Sequence, residues 1–142
     1  MASLIVMTSS NWHNGRLAAF DIESTGVNPQ SDRIVTATVS VVGGGLPAES
    51  TSWLADPGVE IPEGAARVHG ITTEQARAEG RPAAEVVGEI VETLAAQVAG
   101  RPRRAAEVFE RVVVRLQFVV GDAPVLDGHA FRQKCRAVAL GQ

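Results

Sequence analysis

Two carboxylates stand inside an apolar segment near the start of the chain. Leu17 to Glu23 reads LAAFDIE, which predicts a buried strand with Phe20 and Ile22 on one face and Ala19, Asp21 and Glu23 on the other. Moving an ionised carboxylate away from water costs several kcal/mol unless something compensates, and two on one face, ~7 Å apart along the strand, also repel each other. A bound cation resolves both problems. Hard divalent ions such as Mg2+ favour carboxylate oxygens and keep several waters, leaving room for phosphate oxygens. Two such ions ~4 Å apart can activate a water and stabilise the leaving 3′ oxygen in phosphodiester hydrolysis. The ordinary alternative is a solvated D-x-E at a strand end, and the pair alone leaves both readings open.

The surrounding residues add a resemblance. Phe20-Asp21-Ile22-Glu23-Ser24-Thr25-Gly26 resembles the first motif of the DnaQ-like (DEDD) 3′–5′ exonucleases, the family of the epsilon-like proofreading subunits of DNA polymerase III. Asp32-Arg33-Ile34 is similar to the approach to that family's second strand, and Pro62 to Thr72, through Val68-His69-Gly70-Ile71, resembles its signature loop. The resemblance implies that Asp21 and Glu23 are catalytic metal ligands of a two-metal site holding Mg2+ or Mn2+. It also implies that Thr25, Gly26 and His69 lie beside the bound terminal nucleotide. The implied function is release of mononucleotides from a nucleic-acid 3′ end, with single-stranded DNA as substrate, in DNA replication or repair. RNA remains an alternative substrate, and a DNA polymerase subunit is an implied partner.

The agreement weakens in the last third. The family's second motif is N-x-x-x-D, and the best match here is Asp122 to Asp127, which makes Asp127 a candidate third metal ligand despite one residue too many and Asp122 where asparagine belongs. Its last motif, H-x-x-x-x-D, supplies the general base. His69 is followed five positions on by Glu74 and His129 by Lys134, and the chain has no tyrosine for the Y-x-x-x-D variant. His129 is a weak substitute because it follows Asp127 so closely. A competing reading is therefore a catalytically inactive exonuclease-like remnant that binds nucleic acid or a polymerase partner. Divergence, truncation or a frameshift near Gly100 would each produce a family-like first part and an unfamiliar ending.

These residues need a scaffold. Arg33 to Val42 alternates Val35, Ala37, Val39 and Val41 with Thr36, Thr38 and Ser40, predicting a second strand. Gly43 to Gly45 predict a reversal, and a third strand is expected around Ser52 to Leu54. Pro62 and Gly64 suggest a loop. Thr72 with Gln75 has capping-box spacing for a short helix ending at Gly80, and a longer helix is expected from Pro82 to Gly100, with Ala84, Val87, Val91, Leu94 and Val98 on one stripe. Residues 103–120 suit a helix or strands equally well. The expected fold is α/β, a ribonuclease-H-like mixed sheet with flanking helices, incomplete at its C-terminal end. Residues 1–15 read as an N-terminal extension, 16–100 as the N-terminal part of an exonuclease domain, and 101–142 as a divergent, truncated or frameshifted remainder.

The totals agree with one domain. The 142 residues are 45% hydrophobic and 20% charged, with no apolar run long enough to span a membrane and no signal-peptide pattern, so a cytoplasmic location is expected. The single cysteine, Cys135, excludes an internal disulfide. The net charge of −3 conceals an asymmetry. Residues 1–100 hold 5 Lys/Arg against 12 Asp/Glu, and residues 101–142 hold 8 against 4. The basic ending suits either phosphate contact or a solvated tail.

Overall fold

The structure, a computed structural model, describes residues 4–6, 15–28 and 30–98. Their order is β1 (Leu4–Val6), β2 (Arg16–Ser24), β3 (Ile34–Gly43), β4 (Glu49–Asp56), α1 (Glu63–His69), α2 (Thr73–Glu79), β5 (Arg81–Pro82) and α3 (Ala83–Val98). The strands lie side by side in the order β1-β2-β3-β4-β5. The first four pair antiparallel, and β5 joins β4 in parallel, so the sheet is mixed as the ribonuclease-H-like expectation requires.

The alternation read from the sequence sets the packing. Ala18 and Phe20 of β2, Ala37, Val39 and Val41 of β3, and Trp53 and Ala55 of β4 line one sheet face. Against them α3 lays Val86, Val87, Ile90, Val91, Leu94 and Ala95, which form the main core with those strand residues. The expected stripe is thus present at Val87, Val91 and Leu94, with Ala84 at its edge. Val86 and Ile90 widen it to the broad apolar face of a helix packed on a sheet. On the opposite sheet face, Val35, Ile61 and Ala76 form a smaller core with Leu54, Ala65, Ala66 and Ile71 beside it.

Several local expectations are corrected. Pro62 to Gly70 is not a loop throughout, because Glu63–His69 forms α1. Pro62 sits at its N-cap with φ −57°, and Gly70 closes it with a left-handed φ of +79°. A proline there forfeits no helical hydrogen bond, and the terminating glycine adopts a conformation that costs other residues more. Helix α3 begins at Ala83, one residue after Pro82, because Arg81 and Pro82 are drawn into parallel pairing with Ala55 and Asp56. The third strand is longer than expected, reaching from Glu49 to Asp56. Leu4–Val6, within the stretch read as an extension, pairs with Ala18–Phe20 at the sheet edge. As the capping pattern implies, the Thr72 hydroxyl accepts the Gln75 N–H at the start of α2. Residues 99–142 lie outside the described part.

Candidate active site

The carboxylates occupy the end of β2 where its pairing with β3 slips. Asp21 lies opposite Thr38 and Glu23 opposite Thr36, but Ser24 pairs with Ile34, so Val35 is an extra residue on β3. Such a bulge turns the strand that carries it and changes which face its residues address. Here it returns Ile34 to the main core with Ala37 and sends Val35 to the opposite face. Glu23 follows the regular pairing, immediately before the slip.

Phe20 and Ile22 pack with the main core. Strand alternation therefore puts Asp21 and Glu23 together on the opposite face, both half-buried. That face continues across the sheet as the row Glu23, Thr36, Leu54. Leu54, Ala65 and Ala66 pack against the smaller core that contains Ala76, so α1 and α2 lie on the same side of the sheet as the carboxylates.

Asp21 Oδ1 is buried and has no hydrogen-bond partner among the described residues. An unsatisfied buried polar atom carries a desolvation cost of ~1–3 kcal/mol, more when it is charged. A carboxylate oxygen in that condition, with a second carboxylate on the same face, fits a hard divalent cation: the donors are oxygens, negatively charged, and not fully claimed by the described residues. Among the described residues no group of three or more His, Cys, Asp or Glu gathers into a metal-binding cluster. The site as described thus rests on the Asp21 and Glu23 pair. Asp122, Asp127 and His129 lie outside the described residues.

The next residues form a tightly bonded turn. Thr25 is buried; its hydroxyl accepts the Arg33 N–H at 2.9 Å and donates to Asp32 Oδ1 at 3.3 Å. The Thr25 N–H donates to the Arg33 carbonyl at 2.9 Å, and the Ser24 hydroxyl donates to the Gly26 carbonyl at 2.5 Å. Asp32 Oδ2 accepts the Asn28 N–H at 2.7 Å, while the Asp32 N–H returns to the Asn28 carbonyl at 2.8 Å. Gly26 lies against the same carboxylate: a Cβ there would be 2.8 Å from Asp32 Cγ. The Thr25 side chain is thereby committed to the turn, and Gly26 provides room for Asp32.

His69 ends α1. Its Nδ1 accepts the Ile71 N–H at 3.2 Å, so a neutral ring carries its proton on Nε2. Nε2 is buried and lacks a partner among the described residues, leaving an N–H donor available there. The residue that sequence reading passed over is Asp32. By sequence it stands on the approach to a strand; in the structure it is the hub of the turn. The signal was present in Asn28 and Asp32 flanking a predicted turn, where Asn and Asp side chains commonly bond nearby backbone N–H groups.

Comparison with known proteins follows this geometry. Solved structures similar in part to the chain include Escherichia coli exonuclease I in complex with a dT13 oligonucleotide, at 22% identity and a TM-score of 0.47, covering 54% of this chain and 17% of that one. A product-bound structure of exonuclease I matches at 24% identity and a TM-score of 0.49, covering 54% and 18%. The chain therefore spans less than a fifth of the length of these relatives. No curated protein matches. The family model described as Exonuclease matches residues 18–101, from the strand that carries Asp21 and Glu23 to just beyond α3. The chain belongs to this exonuclease family, the DnaQ-like group that its first motif resembles.

Proposed function

We propose that the chain is a metal-dependent 3′–5′ exonuclease that hydrolyses the 3′ end of a nucleic acid, with single-stranded DNA as the preferred substrate and replication or repair as its setting. One observation carries this reading: the buried Asp21 Oδ1, without a partner among the described residues and on the same face as Glu23, in a member of an exonuclease family. Asp21 and Glu23 would hold Mg2+ or Mn2+, and Asp127 is the candidate to join them. Bound ions of this kind supply positive charge at the reacting phosphate and lower the pKa of the attacking water. The chain's own contribution is position. The Ser24 to Asn28 turn, shaped by Thr25 and Gly26, offers a fixed edge to the terminal nucleotide, and His69 Nε2 offers it a hydrogen-bond donor. A polymerase subunit is the partner proposed with this activity.

The test is incubation of the purified 142-residue chain with 3′-labelled single-stranded DNA and Mg2+ or Mn2+. Slow release of labelled mononucleotide, lost in Asp21→Asn, is expected. DNA binding without release would support the non-catalytic module instead. Release unaffected by Asp21→Asn would reject the assignment of the site.

A further inference from the structure

We infer that Asp32 is a positioning residue for the candidate active site: it fixes the end of β2, and through it Glu23, without touching metal or substrate. This inference rests on the reading of Asp21 and Glu23 as metal ligands given above.

The argument begins with the ladder. Asp21 sits within regular pairing, bracketed by Phe20 opposite Val39 and Ile22 opposite Ala37. Glu23 has regular pairing only on its N-terminal side, because the register shifts between Glu23 and Ser24. A strand end next to a bulge is weakly held by its ladder, so its position depends on what lies beyond. Beyond it are two bonds between Thr25 and Arg33, both at 2.9 Å, that close β2 to β3 on the far side of the bulge.

Asp32 fastens that closure. One carboxylate oxygen accepts the Thr25 hydroxyl proton, which orients the hydroxyl lone pairs toward the Arg33 N–H. The other accepts the Asn28 N–H at 2.7 Å, a charge-assisted bond that holds the outer limb of the turn. Gly26 leaves the space the carboxylate fills. No metal cluster of three acidic or histidine groups includes Asp32 among the described residues. Its oxygens are engaged by the turn, in contrast to Asp21 Oδ1.

Removing the Asp32 carboxylate should therefore free Glu23 while leaving Asp21 in place. In the whole 142-residue chain, Mn2+ binding is measured by calorimetry, and backbone hydrogen exchange is followed at Thr25 and Arg33. Asp32→Ala is expected to weaken Mn2+ binding at least about ten-fold and to accelerate exchange at both amides. Far-UV circular dichroism and the protection of α3 should stay as in wild type. Asp32→Asn, which keeps an oxygen for the Asn28 N–H, should recover part of both losses. Wild-type Mn2+ affinity and exchange in Asp32→Ala would overturn the inference. Weakened Mn2+ binding in Asp32→Ala with wild-type exchange at Thr25 and Arg33 would do the same, because it would show that Asp32 does not act by holding the turn. If wild type binds no Mn2+, the reading of the metal ligands fails instead, and the exchange data still decide whether Asp32 holds the strand end.

Discussion

Trp53 of β4 donates its indole N–H to Glu89 of α3 at 2.9 Å, tying the helix to the sheet at the edge of the main core. Arg81 grips the same carboxylate with two bonds, at 2.6 and 2.9 Å, so that β4, the short β5 and α3 meet at one acidic group. Hydrogen bonding from Arg81, then from Trp53, holds the Glu89 carboxyl below the usual glutamate range. A group depressed in the folded state contributes stability that is full above its unfolded value and is lost as pH falls through its folded value. Wild type should therefore melt above Glu89→Gln at pH 7, and the gap should close as pH drops below the ordinary glutamate range. Thermal melts of both proteins between pH 7 and 3 provide the check, and a gap independent of pH would contradict this account. The effect should be modest, since the Glu89 side chain is 44% exposed and water screens the pair.

Leu94 belongs to the core that α3 forms with the sheet and is 4% exposed. Leu94→Ala removes its buried methyl groups and leaves a cavity, for which a loss of ~2–5 kcal/mol is expected. Chemical denaturation measures it directly. A midpoint unchanged from wild type would place Leu94 outside the core.

Gly26→Ala tests the close approach at the turn. Gly26 does not require a left-handed φ, so the backbone can accept alanine, and the penalty comes from the new Cβ meeting Asp32 Cγ at 2.8 Å. Relief requires moving a carboxylate that holds Asn28 and Thr25. Overpacking of this kind typically costs ~1–3 kcal/mol. A melting temperature equal to wild type would show that Asp32 relocates freely.

The contrast between Phe20 and Val35 shows what the sequence could reveal. The alternation around Phe20 identified both the core face and the carboxylate face of β2, because nothing interrupts the strand's period of two before Glu23. The same reasoning placed Val35 with Ala37 and Val39, and there it failed. The bulge depends on which residue of β3 pairs with Ser24, a tertiary choice with no local signature in a run of valine and threonine. Strand β5 was hidden for a similar reason: two residues, Arg81 and Pro82, acquire strand geometry only because β4 lies beside them. Helix α1 was legible in principle, through Pro62 at its start and Gly70 at its end, but seven residues with a glycine inside make a weak periodic signal. At the site, residue types exposed Asp21, Glu23 and His69. They could not show that Asp21 Oδ1 would be without a partner among the described residues, since that depends on the neighbours tertiary packing presents.

The orphaned oxygen makes a metal prediction independent of catalysis. Without divalent ions, Asp21→Ala should melt no lower than wild type, because it removes an unsatisfied buried group along with a few contacts. Adding Mn2+ should raise the melting temperature of wild type and not of the variant, as binding to the folded state alone stabilises it by mass action. A Mn2+-induced rise of equal size in both proteins would locate the metal elsewhere.

Activity itself should be low. In phosphodiester hydrolysis with two ions, the ions must be held at a fixed separation and the attacking water must lose its proton. No H-x-x-x-x-D follows in the sequence to take that proton. Loss of general-base assistance alone costs roughly 10²–10⁴-fold. Among the described residues the carboxylate pair has no third acidic or histidine neighbour to complete a cluster, and the candidate third ligand, Asp127, sits in a stretch that departs from the family's spacing. The chain should therefore cleave single-stranded DNA at least about a hundred-fold more slowly than a relative containing both later motifs, and what cleavage remains should vanish in Asp21→Ala. Single-turnover assays with 3′-labelled DNA measure the difference. Turnover equal to that relative, still abolished by Asp21→Ala, would mean that another group takes the proton, and Asp127→Ala and His129→Ala would then identify it. Turnover indifferent to Asp21→Ala would come from a contaminating nuclease and would leave the chain without detectable cleavage of its own.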